Sequence, residues 1–358
     1  MTQGLKSAAM AAALLASASG ADAQNLKEVG RIAIPGVPID NFAVLTIDQT
    51  SGLGYLAEKE NTGVVVFDTK SDSFVKRISG GGLGGNNAKG QLAGPNGVAV
   101  VNSGAELWVS DGDSVVRIVD LKTGQVTATI ATGGKERANA MGYDPVNGVV
   151  LVANSNEDPP YITLISTAPD RKVIAKIPVP ESAENIERTV FHAASGMFYT
   201  AIPVLARDKT KGIMAQIESK TGQLVKLHEL ENCHPHSLQI VAEGKIFFGC
   251  SSAHGATPKP GGDLAIFDMN AGKIVTRGAG LGGNGGSTIN SKLGRYYHST
   301  TAATLTIVDM KTNQPVQQLK TSPGARSVGV NEATGRVYLA TTAKDGPCGG
   351  CIVVYAPE

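Results

Sequence analysis

The stretch VVRIVDLKTGQVTATI, residues 115–130, reads as a strand, a tight polar turn and a second strand. Val, Ile and Thr fill both arms, and Asp120, Lys122, Thr123 and Gly124 supply the turn chemistry between them. The pattern returns as VVVFDTKSDSFVKRI (64–78), YITLISTAPDRKVIAKI (161–177), IMAQIESKTGQLVKLHEL (213–230), LAIFDMNAGKIVTRG (264–278) and TLTIVDMKTNQPVQQLK (304–320). A seventh copy begins as CIVVYAPE at 351–358 and stops after one strand. The strand that would complete it stands at the other end, in LKEVGRIAIPG at 26–36. A closed ring whose last blade takes its outer strand from the N-terminus explains this split, whereas an open solenoid has no need of it.

Two further strands precede each copy. The nearer set is GYLAEK (54–59), ELWVSD (106–111), VVLVAN (149–154), MFYTAI (197–202), KIFFGC (245–250), RYYHST (295–300) and RVYLAT (336–341). The farther set is FAVLTID, GVAVVN, AMGYD, TVFHA, SLQIVA, STINS and SVGVN, joined to the first by turns such as DQTSG, DPVNG and NEATG. Four short strands per repeat, at a spacing of about 45 residues, predict an all-β, seven-bladed β-propeller of four-stranded antiparallel blades. No window carries a sustained helical period. One domain over 24–358 accounts for nearly the whole chain.

Residues 1–23 read as a secretory signal peptide. Lys6 is the basic start, SAAMAAALLASASG is a short apolar stretch, and Ala21-Asp22-Ala23 is a cleavage site before Gln24. Export to the periplasm, or secretion, is the expectation. The four cysteines fit an oxidising compartment, with Cys233–Cys250 and Cys348–Cys351 as the expected bridges. A redox-active or metal-binding Cys348-Gly-Gly-Cys351 is the competing reading, and no thioredoxin-like βαβ pattern surrounds it. A formal charge of +1, with no basic run, argues against a nucleic-acid partner. The expected partner is a small molecule or a periplasmic protein, and the expected state a monomer without a membrane span.

In a propeller the d–a and b–c loops open on one face and the a–b and c–d turns on the other. Here the a–b and c–d turns are minimal, while d–a and b–c loops such as SGGGLGGNNAKGQLAGPN (79–96) and SSAHGATPKPGG (251–262) are long. Loop elaboration on one face of a rigid ring is where binding concentrates. The starts of the inner strands place Asn41, Asn96, Asn139, Glu187, Arg188, His236, Ser287 and Arg326 near the axis at that mouth. Such a set suits a metal, a carboxylate or ordered water; Asn at a strand start also bonds its own turn.

The chain has six histidines. His234, His236 and His254 fall in one blade on the loop-rich face, where they suit a divalent metal, an acid/base pair or a purely structural role. His298 is expected between blades, and His192 and His228 in a turn and an outer strand. The motif GLGGN occurs at 82–86 and 280–284, but no helix follows either copy, so a nucleotide-binding loop is not expected.

The repeats resemble the YVTN-type family, whose core is strand, D-x-x-T/S-G, strand. PNGVAVVNSGAELWVSD and ARSVGVNEATGRVYLAT resemble the other half of that repeat. The resemblance covers essentially all of 24–358. It implies a seven-bladed propeller of the exported bacterial kind, related to lactonase-like and cytochrome-d1-like propellers, and it is silent on function. Ile352 follows Cys351, so no haem-attachment motif is present. The third and fourth repeats replace the turn Asp by Ser166 and Glu218, which points to a specialised site near blades three to five. Two functions follow. One is a propeller that binds a small anion or a partner protein. The other is a lactone hydrolase or lyase in which His236 or His254 is the acid/base, Arg188 and Arg326 grip a carboxylate, and a metal at His234, His236 and His254 assists.

Overall fold

The computed structural model describes residues 25–182, 185–241, 244–252 and 262–358. β1 (Leu26–Ala33) comes first. Blade 1 is β2 (Phe42–Ile47), β3 (Leu53–Glu58), β4 (Gly63–Asp68) and β5 (Ser73–Ser79). Blade 2 is β6 (Gly97–Val101), β7 (Glu106–Ser110), β8 (Val115–Asp120) and β9 (Val126–Ala131). Blade 3 is β10 (Met141–Asp144), β11 (Val149–Asn154), β12 (Tyr161–Ser166) and β13 (Val173–Pro178). Blade 4 is β14 (Thr189–His192), β15 (Met197–Ile202), β16 (Lys211–Glu218) and β17 (Leu224–Glu231). Blade 5 is β18 (His234–Val241), β19 (Lys245–Ser251), β20 (Asp263–Asp268) and β21 (Lys273–Ala279). Blade 6 is β22 (Gly285–Asn290), β23 (Arg295–Thr300), β24 (Thr304–Asp309) and β25 (Pro315–Lys320). Blade 7 is β26 (Ser327–Val330), β27 (Val337–Ala340) and β28 (Cys351–Pro357), with β1 outermost.

The ring closes through β1 on β28. The pair is antiparallel, running from Leu26 opposite Pro357 to Ala33 opposite Cys351. Pairing covers the β28 edge and makes β1 the outer strand of blade 7, as β5 is of blade 1.

The core lies between blades. Side chains alternate across a strand, so each middle strand feeds both neighbours. Val149, Leu151 and Ala153 of β11 pack with Phe198, Ile202 and Ile213 of blade 4. Val150 and Val152 of the same strand pack with Trp108, Val116 and Ile118 of blade 2. This two-sided burial is why the middle strands read as unbroken apolar runs, while the outer β9 and β25 alternate.

The repeated Asp works at the c–d turn. Asp120 accepts from the Thr123 amide at 2.7 Å and hydroxyl at 2.9 Å, which holds its carboxyl below the usual range. Glu218 makes the same turn with Thr221, so the altered residue in the fourth repeat preserves the motif's job.

Both expected disulfides are present. Cα separations are 4.9 Å for Cys233–Cys250 and 5.8 Å for Cys348–Cys351. No helix among the described residues is long and apolar enough to cross a membrane.

Candidate functional site

The inner strands of all seven blades start around one cavity of about 250 Å³ on the ring axis. Its wall takes Phe42 from blade 1, Asn96 from blade 2, Asn139 from blade 3, Arg188 from blade 4, Ser237 from blade 5, Gly285 from blade 6 and Ser327 from blade 7. The d–a and b–c loops meet here, since β-strands next to the axis begin where their neighbours end.

Two inner strands are bulged at this wall. The register of β18 slips between His236 and Gln239, and Ser237 sits at φ 57°. That of β2 slips between Phe42 and Leu45. A bulge re-aims side chains that a regular ladder would hold elsewhere, and Ser237, Ala43 and Val44 reach the cavity this way.

Neighbouring blades are stapled to one another around the cavity. Asn96 donates to the Ala138 carbonyl at 3.0 Å, and Asn139 donates to the Ile186 carbonyl at 3.3 Å. Arg326 donates to the Phe42 carbonyl at 2.7 Å, across the blade 7–blade 1 seam. Ser327 bonds the Ala43 carbonyl at the same seam. Asn96 and Asn139 therefore serve the ring as well as lining the cavity.

The charge on the wall is lopsided. Lys59, Arg137, Arg188 and Arg326 are cations and Glu187 is the one carboxylate among the lining residues. None of the four cations lies within ion-pair distance of a carboxylate among the described residues. Elsewhere the partly buried arginines are paired: Arg77 with Glu58 at 2.8 Å, Arg117 with Asp111 at 3.0 Å, and Arg295 with Asp309 at 2.6 Å.

Lys59 is only 9% exposed. Its ammonium is pushed down to about 8, by burial first and then by the charges of Arg137 and Arg326, against Glu60 and Asp111. Burial also lowers Arg188, opposed by Glu187. Burial lowers Arg326 too, with Glu187 opposing and Arg137 adding. Arginine stays charged through such shifts. Arg137 is oriented by Asn156 at 2.9 Å and Asn185 at 3.0 Å.

Of the residues expected at the mouth, Asn96, Asn139, Glu187, Arg188 and Arg326 line this cavity. Asn41 is exposed and stands outside the lining; its carbonyl accepts from the Lys59 amide at 3.0 Å. Ser287 turns away from the axis, and its hydroxyl meets Nδ1 of His298 at 2.8 Å. Nε2 of His298 faces the Gly283 carbonyl at 3.2 Å, so Nε2 holds the proton and Ser287 donates to Nδ1. His298 is packed between blades 5 and 6, and burial pushes it down to about 4.

His236 sits behind the wall rather than in it. It is 8% exposed, and its Nε2 meets the Ser251 hydroxyl at 3.0 Å. Burial lowers its pKa, against the pull of Glu187 and with a further push from His234. Nε2 of His234 faces the Lys209 carbonyl at 2.9 Å. His254 lies outside the described residues. Among the described residues no three His, Cys, Asp or Glu side chains gather in a way that would hold a metal. The described part of the expected histidine set thus spends its Nε2 atoms on protein partners.

The first glycine-rich loop does cradle an anion, but the protein's own. The amides of Gly84 and Gly85 donate to Asp111 at 3.0 and 2.8 Å, and Arg117 completes the cradle. Burial still pushes the Asp111 carboxyl upward, against Gly112, Arg117 and Gly85.

Lys59 and Arg137 are the cavity groups that sequence reasoning missed. Lys59 directly follows strand β3, at the position that Asp111 takes after β7. β3 ends on Glu58 and Glu60 follows, so in the sequence Lys59 reads as part of a charged turn and nothing local marks it for the cavity.

No protein-family model matches the chain, and no curated protein sequence matches it. Among solved structures the chain is similar to hydrazine synthase of Kuenenia stuttgartiensis, with a TM-score of 0.70 and 15% identity over 90% of this chain and 98% of that one. At that identity the likeness is one of fold: both are propellers.

Proposed function

We propose that this protein is an exported propeller that binds a small anionic molecule in its axial cavity. The observation that carries the reading is the set of four cations without a carboxylate partner around one cavity, Lys59 buried and Arg137, Arg188 and Arg326 half-buried. A buried charge is expensive unless it is paired, and proteins pair such charges or neutralise them. This chain pairs Arg77, Arg117 and Arg295 internally but leaves Lys59, Arg137, Arg188 and Arg326 to something from solution. The preformed, stapled ring holds the donors in place before the ligand arrives, which lowers the ordering cost of binding. At about 250 Å³ the cavity falls below the range of drug-sized sites, so the ligand is small. The two disulfides support an oxidising compartment, and the repeat pattern supports a place in the YVTN-type group.

The hydrolase or lyase reading has less support, because His236 stands behind the wall with Nε2 engaged by Ser251. The test is calorimetric titration of residues 24–358 with small carboxylates and inorganic phosphate at low salt. Binding is expected, with a loss of about tenfold or more in Arg188→Gln, in the range of one charge-assisted hydrogen bond. Lys59→Gln should weaken binding while raising the melting temperature, because it removes an unpaired buried charge. Failure of every anion to bind the wild-type protein would overturn the reading.

A further inference from the structure

Lys59 is the one lysine among the described residues that folding buries. Other lysines are spent on protein partners: Lys176 lies over the Tyr161 ring at 4.0 Å, and Lys211 pairs with Glu229 at 3.0 Å and Glu231 at 2.8 Å. Lys59 lines the axial cavity instead. Its backbone is fixed on both sides, the amide donating to the Asn41 carbonyl at 3.0 Å and the carbonyl accepting from the Thr62 amide at 3.0 Å. The adjacent carboxylate of Glu58 is taken by Arg77 at 2.8 Å and by the Asn61 amide at 3.0 Å. Burial first, then the charges of Arg137 and Arg326, push the Lys59 amine down to about 8, against Glu60 and Asp111. Arg137 and Arg326 line the same cavity, each oriented by its own protein acceptors. A desolvated lysine beside other cations is the arrangement that frees an amine to attack a carbonyl carbon.

We infer that Lys59 forms an imine with the carbonyl group of a small oxo acid whose carboxylate is held by the arginines of the same cavity. This rests on the anion-binding reading and deepens it by naming the ligand's second group. The neutral amine adds to the carbonyl carbon, and the displaced π pair goes to the oxygen. The two N–H protons pass in turn to that oxygen, which leaves as water, and a C=N bond remains. Amine and carbonyl give imine and water, so no oxidant or reductant is consumed. At about pH 8 half of Lys59 is neutral, on the order of a hundredfold more than for an ordinary lysine near 10.5. Nucleophilicity falls with basicity, as it does for thiols, so a net rate advantage of about tenfold is expected. Guanidinium groups match the carboxylate end, since they present paired N–H bonds to it. A cavity of about 250 Å³ suits an acid of about three or four carbons.

The experiment incubates residues 24–358 at about pH 8 with pyruvate or acetoacetate and sodium cyanoborohydride, which reduces an imine to a stable secondary amine. Peptide mass mapping then reads each lysine. Lys59 is expected to be labelled about tenfold faster than any other lysine. Acetone, which has the carbonyl but no carboxylate, should label Lys59 about tenfold more slowly than pyruvate, the loss of one charge-assisted contact. Lactate, which has the carboxylate but no oxo group, should bind by calorimetry and protect Lys59 from pyruvate. Arg326→Gln, checked for an unchanged circular dichroism spectrum, should slow the labelling of Lys59 by pyruvate. Lactate binding without preferential labelling of Lys59 by either oxo acid would overturn the imine and leave the anion site standing. Equal labelling by acetone and pyruvate would overturn the oxo-acid assignment. Neither lactate binding nor an adduct would overturn both readings. Because the ligand series is measured on the wild-type protein, the result stands even if the variant fails to fold.

Discussion

Lys59 faces the cavity with no carboxylate partner, and this gives the site a pH dependence. Its amine, ordinarily near 10.5, is pushed down to about 8 in the fold. From about pH 8 towards 10.5 the unfolded chain holds a proton that the folded chain has released, so the unliganded fold gains stability as pH rises through that window. Below it the penalty of the buried charge is present in full. A bound anion acts the other way, favouring the ammonium. Anion affinity should therefore fall as pH rises through about 8, and calorimetry in buffers of different ionisation enthalpy should show proton uptake near that pH. Lys59→Gln should remove both effects; an affinity that is flat from about pH 7 to 9 in the wild type would contradict the assignment. Arg188 and Arg326 are legible in the sequence because they stand directly before inner strands, whose starts must surround the axis. Arg137 and Lys59 escape that reasoning. What singles them out is the want of a partner, and partners are decided by which loops meet across blades. Ser287 shows the converse: it has the right position along the chain, yet a buried imidazole on the neighbouring strand claims its hydroxyl.

At the level of strands, most boundaries follow from short β-branched runs broken by Gly, Asp and Asn. The inner strand of blade 5 shows where this stops. SLQIVA reads as its whole length, but β18 reaches back to His234 through the slip that follows His236. A bulge leaves little mark in composition, because it is set by what the strand must accommodate beside it. β1 is the opposite case, legible from a missing partner nearly a full chain length away. Removing residues 25–33 would expose β28 as a bare edge. The truncated protein should melt at a lower temperature and self-associate with rising concentration, as read by calorimetry and size-exclusion chromatography. A soluble monomer with an unchanged melting temperature would show that β1 contributes nothing to closure.

For the molecule as a whole, the number of blades is countable from repeats alone, since each repeat is one blade and each blade buries both faces against its neighbours. The character of the cavity is not countable in this way. It depends on which side chains of different repeats converge at the mouth, Lys59 after a second strand and Arg137, Arg188 and Arg326 before first strands, a pattern that no single repeat contains. The seam between β1 and β28 has one more consequence. Leu26 lies opposite Pro357, and the Glu358 amide donates to the Asn25 carbonyl at 2.8 Å. The order in which the polypeptide visits the blades is thus separable from the ring it builds. A circular permutant, with 25 and 358 joined by a short Gly-Ser linker and new ends opened in the exposed turn at Lys122–Thr123, should fold to the same circular dichroism spectrum and bind small anions with wild-type affinity. If it fails to fold, the vectorial order of synthesis matters to assembly in a way that the closed ring does not reveal.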